Sequence, residues 1–242
     1  MIFRIARSRD GGAITHYDLY KIQERKGMTI LDALFQIQDR MDSSLAFRYS
    51  CRGAVCGSCA MLINKEPRLA CRTQVSSIHT EPLNLRPFPS ISETPQGWDH
   101  EKEILIEPLP NFPILKDLVV DMTKFYDTLK ELRLWADPVS GETSRFQSPE
   151  DREVIRRYVN CILCAICYGS CPVNFENEDY VGPAALAKAY RFNQDSRSPD
   201  AERYLNDAKG PHGAPLCDLV MNCVKACPKG VAPGGAIRKM KE

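Results

Sequence analysis

Apolar positions change their spacing about halfway along the chain. In the first hundred residues the apolar runs are short and bounded by turn residues. Ile2 to Ser8 and Tyr17 to Gln23 read as two strands joined by a turn around Asp10-Gly11-Gly12. Thr29 caps a helix, with Asp32 as the capping-box acid and Ile30, Leu31, Leu34 and Ile37 as its apolar stripe. Ala60 to Ile63 predicts a strand, Asn64-Lys65-Glu66-Pro67 a turn, and Arg68 to Ala70 the strand back. Between Pro82 and Pro113 seven prolines interrupt regular structure and mark a boundary. Beyond it the period becomes helical. Leu118, Met122, Phe125, Leu129 and Leu132 predict an amphipathic helix of about four to five turns. Ser148-Pro149-Glu150-Asp151 starts another, and Pro183 to Asn193 and Pro199 to Ala208 two more. The expected class is α+β, with a mixed strand-and-helix domain over 1–105 and an all-helical domain over 106–242.

Composition narrows the function classes. With 43% apolar and 26% charged residues the chain is neither fibrous nor disordered, and a net charge of +1 gives no electrostatic reason to expect nucleic acid as a partner. The charged start, Met1 to Asp10, does not read as a secretory signal, so the expected compartment is the reducing cytoplasm. The longest run without charge or strong polarity, Cys161 to Cys167, is far shorter than the roughly 20 residues that span a bilayer. Any membrane span must come from another subunit.

Cysteine is the outlier, at eleven in 242 residues. Cys51-x4-Cys56-x2-Cys59, with Cys71 returned to Cys59 by the strand pair, has the plant-type ferredoxin spacing for a 2Fe-2S cluster. Gly53 and Gly57 fit a loop whose backbone approaches such a cluster. Cys161-x2-Cys164-x2-Cys167-x3-Cys171-Pro172 is the bacterial ferredoxin run, whose fourth cysteine serves a second cluster. The partner run, Cys217, position 220, Cys223 and Cys227-Pro228, has Val220 where a cysteine is due. Spacing therefore assigns Cys161, Cys164, Cys167 and Cys227 to a 4Fe-4S cluster. It leaves Cys171, Cys217 and Cys223 for a 3Fe-4S cluster, and no cysteine over. Zinc could use Cys51, Cys56, Cys59 and Cys71, but gives no reason for the crossed pattern of the other seven.

On these motifs the chain resembles the iron–sulfur subunit of succinate dehydrogenase and quinol:fumarate reductase over nearly its whole length. The most specific stretches are Ser50 to Met61, Asn160 to Cys164, Gly182-Pro183-Ala184 with Tyr190-Arg191-Phe192, and Met221-Asn222-Cys223 leading to Cys227-Pro228-Lys229-Gly230. All eleven ligand assignments agree with the family's. The resemblance implies a plant-type 2Fe-2S ferredoxin (β-grasp) domain followed by a helical bacterial-type ferredoxin domain. It also implies a FAD-containing flavoprotein partner that interconverts succinate and fumarate, and a membrane anchor with quinone chemistry and often heme b. The subunit would sit peripherally on the cytoplasmic face of the inner membrane and carry electrons singly from flavin through the two-iron, four-iron and three-iron clusters to quinone. The chain itself has no dinucleotide fingerprint and no phosphate-binding Gly-rich loop.

One departure bears on direction. Where some succinate-oxidising relatives place a Trp and a His close to the quinone, this chain has Glu176 and Asp218. That tilts the expectation toward quinol:fumarate reduction with a low-potential quinol. The alternative is an iron–sulfur subunit of another flavoprotein, such as a thiol-linked fumarate reductase. That branch usually adds a domain with paired adjacent cysteines, and no Cys-Cys dipeptide occurs here. His16, His79, His100 and His212 have no ligand spacing. Arg48 and Arg52 flank the two-iron loop.

Overall fold

The computed structural model describes residues 1–9, 11–136 and 146–242. Asp10, part of the first expected turn, lies outside the described residues. The chain forms two compact units, one of Met1–Met122 with Ile162–Ser170, the other of Thr123–Cys161 with Cys171–Glu242.

The first unit is built on a five-stranded mixed sheet. Its strands are β1 (Ile2–Arg7), β2 (His16–Lys21), β3 (Ala60–Ile63), β4 (Glu66–Leu69) and β5 (Glu103–Glu107), in the order β2-β1-β5-β3-β4. β1 runs antiparallel to β2 and parallel to β5, and β3 is antiparallel to both β5 and β4. Phe3, Ile5, Ile63, Ile104 and Ile106 are fully buried. α1 (Ile30–Arg40) begins at the expected capping box: Asp32 N–H donates to Thr29 Oγ1 at 3.2 Å and Thr29 N–H to Asp32 Oδ2 at 2.9 Å. Its stripe, Ile30, Leu31, Leu34 and Ile37, is buried. A short helix, α2 (Pro89–Ser92), precedes β5.

Three local expectations change. The turn after β3 is only Asn64-Lys65, both at positive φ (46° and 64°), and the strand back already starts at Glu66. A two-residue turn of this hand matches the strand twist, and Pro67 is tolerated because β4 is the sheet edge. Second, the proline-rich stretch contains β5, which lies at the centre of the sheet and spans residue 105. Its three apolar residues are flanked by acids that the fold neutralises. Glu103 meets Arg4 Nε at 2.7 Å, and Glu107 meets Lys65 Nζ and accepts the Tyr17 hydroxyl, each at 2.7 Å.

Third, Leu118 and Met122 lie outside the helix expected to contain them. Ile114–Lys116 and Val119–Val120 pair as β6 and β7, and α3 spans only Thr123–Glu131, ending before Leu132. The cause is Asp117, 1% exposed and at φ 48°. Its carboxylate accepts from Arg7 Nε at 3.1 Å and from the N–H groups of Ser8 and Ala46, both at 3.0 Å. Holding that buried charge requires a turn there, which outweighs the helical spacing.

In the second unit α4 (Pro149–Ile155) starts as expected, with Ser148 accepting from Asp151 N–H. α5 (Ile166–Gly169) belongs to the first unit, while α6 (Pro172–Glu176), α7 (Gly182–Asn193), α8 (Ala201–Ala208), α9 (Asn222–Lys225) and α10 (Pro233–Lys241) belong to the second. α7 is the hub. It packs against both α8 and α10 and buries nine of its twelve residues, with Phe192 stacked on Tyr204 at 5.1 Å. Asp195, just beyond its end, is buried between Arg191 and Arg197, at 2.8 and 2.9 Å.

Candidate iron–sulfur sites

No two of the eleven cysteines are joined in a disulfide. In the two-iron loop Arg52, Ala54 and Gly57 take left-handed conformations (φ 56°, 57° and 77°), which curl the backbone so that its N–H groups turn inward. Cys51 Sγ accepts from the N–H groups of Gly53, Val55 and Cys56 at 3.4, 3.2 and 3.3 Å. Cys56 Sγ accepts from Cys51 N–H at 3.4 Å, and Cys59 Sγ from Cys71 N–H at 3.4 Å. The β3–β4 hairpin thus brings Cys71 to Cys59 as the spacing anticipates. The first turn of α1 fixes it from behind, where Leu31 N–H donates to the Ala70 carbonyl and Ile30 N–H to that of Thr73.

The loop is electrostatically shaped for thiolate ligands. Burial works to raise the Cys56 thiol, but the Ser58 hydroxyl and the Cys51 and Ser58 N–H groups outweigh it and bring Cys56 down to about 6. Cys59, deeper in the unit, is pushed up by burial to about 12. A buried thiol becomes a thiolate once a cation is bound to it, which is the service iron performs. Arg52 packs its guanidinium 4.8 Å over the Phe35 ring, and the Arg48 guanidinium donates to the Val120 carbonyl. Gly57 is pressed against the next motif: a Cβ there would lie 2.6 Å from the Cβ of Cys164.

The two ferredoxin-type runs have the same backbone. A 3₁₀ turn at Tyr158–Asn160 leads into Cys161, and one at Ala214–Leu216 leads into Cys217. Leu163 and Ala165 are left-handed (φ 52° and 60°), as are Leu219 and Met221 (φ 54° and 67°). Four-residue helices follow, α5 and α9, with Ala165 and Met221 as their N-caps. In this matching register Val220 stands where the first run has Cys164. Cys164 and Cys167 lie in the first unit, and Cys161 and Cys227 in the second, where Val231 N–H donates to Cys227 Sγ at 3.3 Å. Lys188 is close enough to Cys161 for their charges to interact, although burial lowers the pKa of its ammonium group.

Cys171, Cys217 and Cys223 are all buried within the second unit. Cys171 Sγ accepts from the N–H groups of Val173 and Asn174, Cys217 Sγ from Leu219 N–H at 3.4 Å, and Cys223 Sγ from Gly234 N–H in the first turn of α10. A Cβ at Gly234 would meet Met221 Sδ at 2.5 Å, so glycine lets that turn approach the loop. Burial, with the neighbouring thiols adding to it, raises Cys171 to about 11 and Cys223 to about 12. Tyr180 is 1% exposed, its hydroxyl has no hydrogen-bond partner, and the groups acting on it are the thiols of Cys217, Cys171 and Cys223.

Among the described residues no three His, Cys, Asp or Glu side chains converge on a single metal ion. What the loops present instead is N–H donors to sulfur, several in the two-iron loop and at Cys171, Cys217 and Cys223 and one at Cys227, the environment that a cluster with cysteine ligands requires. Glu176 and Asp218 are exposed. Spacing sets the cysteines apart but does not point to the donors to their sulfurs, such as Ser58 and Gly234. Only Ser58, inside the first loop, has a position that could have pointed to it.

Residues 1–127 match the family described as the 2Fe-2S iron-sulfur cluster binding domain, and residues 158–231 the 4Fe-4S dicluster domain. The fumarate reductase iron-sulfur subunit of Mycobacterium tuberculosis is 34% identical over 229 residues, 93% of this chain and 84% of its own length. That of Haemophilus influenzae is 33% identical over 240 residues, 93% of this chain and 85% of its own. A chain of the Mycobacterium smegmatis Sdh1 complex in the apo form shares the fold, with a TM-score of 0.82 at 22% identity over 99% of this chain and 93% of that one. The cofactors are thus iron–sulfur clusters, 2Fe-2S and 4Fe-4S, with the 3Fe-4S cluster typical of such proteins. Two cluster-binding domains in this order, on a chain alike from end to end, place the protein in the family of electron-transferring iron–sulfur subunits of the succinate dehydrogenase and fumarate reductase oxidoreductases.

Proposed function

We propose that this chain carries single electrons between a FAD-bearing subunit that interconverts succinate and fumarate and a membrane anchor that exchanges electrons with quinone. In this reading Cys51, Cys56, Cys59 and Cys71 hold the 2Fe-2S cluster. Cys161, Cys164, Cys167 and Cys227 hold the 4Fe-4S cluster, and Cys171, Cys217 and Cys223 the 3Fe-4S cluster. Each cluster, when bound, takes up or releases one electron at a time, which divides the two-electron chemistry of a flavin into single steps. The chain's own residues hold the sulfurs, direct N–H groups at them and exclude water from the Cys171, Cys217 and Cys223 group.

The observation that carries this reading is the repeated loop backbone with Val220 in the place of Cys164. The fold keeps the geometry of a cubane ligand loop and omits one ligand, which suits a cluster lacking one iron corner. In the assembled complex, Val220→Cys is expected to diminish the three-iron paramagnetic signal of the oxidised protein as that centre converts to a four-iron form. An unchanged three-iron spectrum, with the introduced thiol shown to be free and adjacent, would contradict it.

The finer reading is a quinol:fumarate reductase working with a low-potential quinol, through an anchor that often carries heme b, at the cytoplasmic face of the inner membrane. Glu176 and Asp218, both exposed beside the three-iron motif, support it. Among the described residues no helix is long and apolar enough to cross a membrane, which agrees with a peripheral subunit held by an anchor. The purified complex should reduce fumarate with a low-potential quinol faster than it reduces quinone with succinate; the opposite ratio would reverse the assignment.

A further inference from the structure

We propose that Tyr180 is a positioning residue for the three-cysteine site, donating its hydroxyl hydrogen bond to Cys217 Sγ and thereby making the cluster held there easier to reduce. The inference rests on the reading of Cys171, Cys217 and Cys223 as holders of the 3Fe-4S cluster. Tyr180 lies on the segment between α6 and α7, is 1% exposed, and ends in a buried hydroxyl with no hydrogen-bond partner. Buried hydroxyls are almost always satisfied, so this orphan calls for a partner. The nearby groups that act on this one are the three thiols, that of Cys217 foremost.

The backbone around Tyr180 is pinned at three points, so the ring has a fixed direction. Tyr180 N–H donates to the Asn177 carbonyl at 3.3 Å, Asn174 Nδ2 donates to the Tyr180 carbonyl at 3.0 Å, and Val181 N–H donates to the His212 carbonyl at 3.0 Å. Asn174 also sends its backbone N–H to Cys171 Sγ. One short segment therefore addresses two of the three sulfurs, Cys171 through a backbone donor and Cys217 through a side-chain donor. The other donors at this site are backbone groups, present whatever the sequence; the phenol is the donor that a substitution can remove. A hydrogen bond to a ligand sulfur stabilises the more negative, reduced state, and so raises the potential. The hydroxyl keeps its proton in both states and only the electron is exchanged.

The test is a redox titration of the assembled complex followed by electron paramagnetic resonance, comparing the unaltered protein with Tyr180→Phe, which keeps the ring and removes the donor. The expected result is a three-iron midpoint lowered about tenfold in the reduction equilibrium, or about 59 mV for one electron, with the two-iron and four-iron midpoints in place. A fluorinated tyrosine installed at position 180, a stronger donor of nearly the same shape, should move the three-iron midpoint upward. It decides the matter should Tyr180→Phe fail to assemble. Unchanged three-iron midpoints, or an equal shift of all three clusters, would overturn the proposal while leaving the cluster assignment intact. Absence of any three-iron signal from the unaltered complex would instead remove the assignment on which it stands.

Discussion

A methyl group at Gly57 would sit 2.6 Å from the Cβ and 2.7 Å from the Cα of Cys164, at a φ of 77° that L residues avoid. Neither contact can yield without moving a ligand loop, so Gly57→Ala should cost about 1–2 kcal/mol in backbone strain alone and more in displacement. Its measurable form is a complex deficient in two-iron or four-iron spectra; full occupancy of both would show that the loops have slack. Ser58→Ala is the subtler change. It removes the hydroxyl donor to Cys56 Sγ but leaves every cysteine and every N–H group, so the two-iron cluster should assemble with a lower midpoint. A shift of about 59 mV corresponds to a tenfold change in its reduction equilibrium, and potentiometry on the holoprotein reads it directly. The cysteines were legible because ligation imposes a spacing on the chain. Donors to sulfur obey no spacing, which is why Tyr180, nine residues beyond Cys171 and in neither run, was not.

Elements whose starts are set by local chemistry were equally legible: α1 by its capping box and α4 by Ser148-Pro149, while the β3–β4 hairpin was legible but for the length of its turn. Those decided by distant partners were not. β5 depends on Arg4, Lys65 and Tyr17 to neutralise its flanking acids, and the shortened α3 on a carboxylate at Asp117 that reaches back to β1. The hub of that network is Arg7. It meets Asp117 Nε to Oδ1 at 3.1 Å and Asp18 at 3.0 Å, and also pairs with Asp42. Removing the guanidinium leaves Asp117 buried without its cation, so Arg7→Met should destabilise the first unit by about 3–5 kcal/mol, seen as earlier loss of two-iron absorbance in denaturant. The Ser44 hydroxyl first, and then Arg7 and Tyr20, hold the Asp42 carboxyl well below the usual carboxylate range, against the opposing effect of burial. A depressed folded-state pKa gives stability that is present above the unfolded value, about 3.9, and lost as pH falls toward the folded one. Asp42→Asn should therefore lower the melting temperature near neutrality by about 2–4 °C for each kcal/mol lost and flatten its fall below about pH 4. Parallel melting curves against pH for the two proteins would contradict this.

The whole molecule is organised around sulfur rather than around a substrate pocket. Each unit devotes its irregular backbone to cysteine loops and its regular elements to holding them: a mixed sheet in the first, the α7 hub in the second. This division of labour is what an electron carrier requires, since the distances between stations depend on a rigid frame. In the proposed reading the dicarboxylate chemistry and the membrane span fall to other subunits. Electron paramagnetic resonance of the anaerobically purified complex, oxidised and then reduced, with iron and acid-labile sulfide measured on the same sample, tests this most directly. The account predicts a three-iron signal in the oxidised state and two-iron and four-iron signals on reduction, with iron and sulfide matching one cluster of each kind. A colourless protein with negligible iron, or one holding zinc in its place, would contradict it.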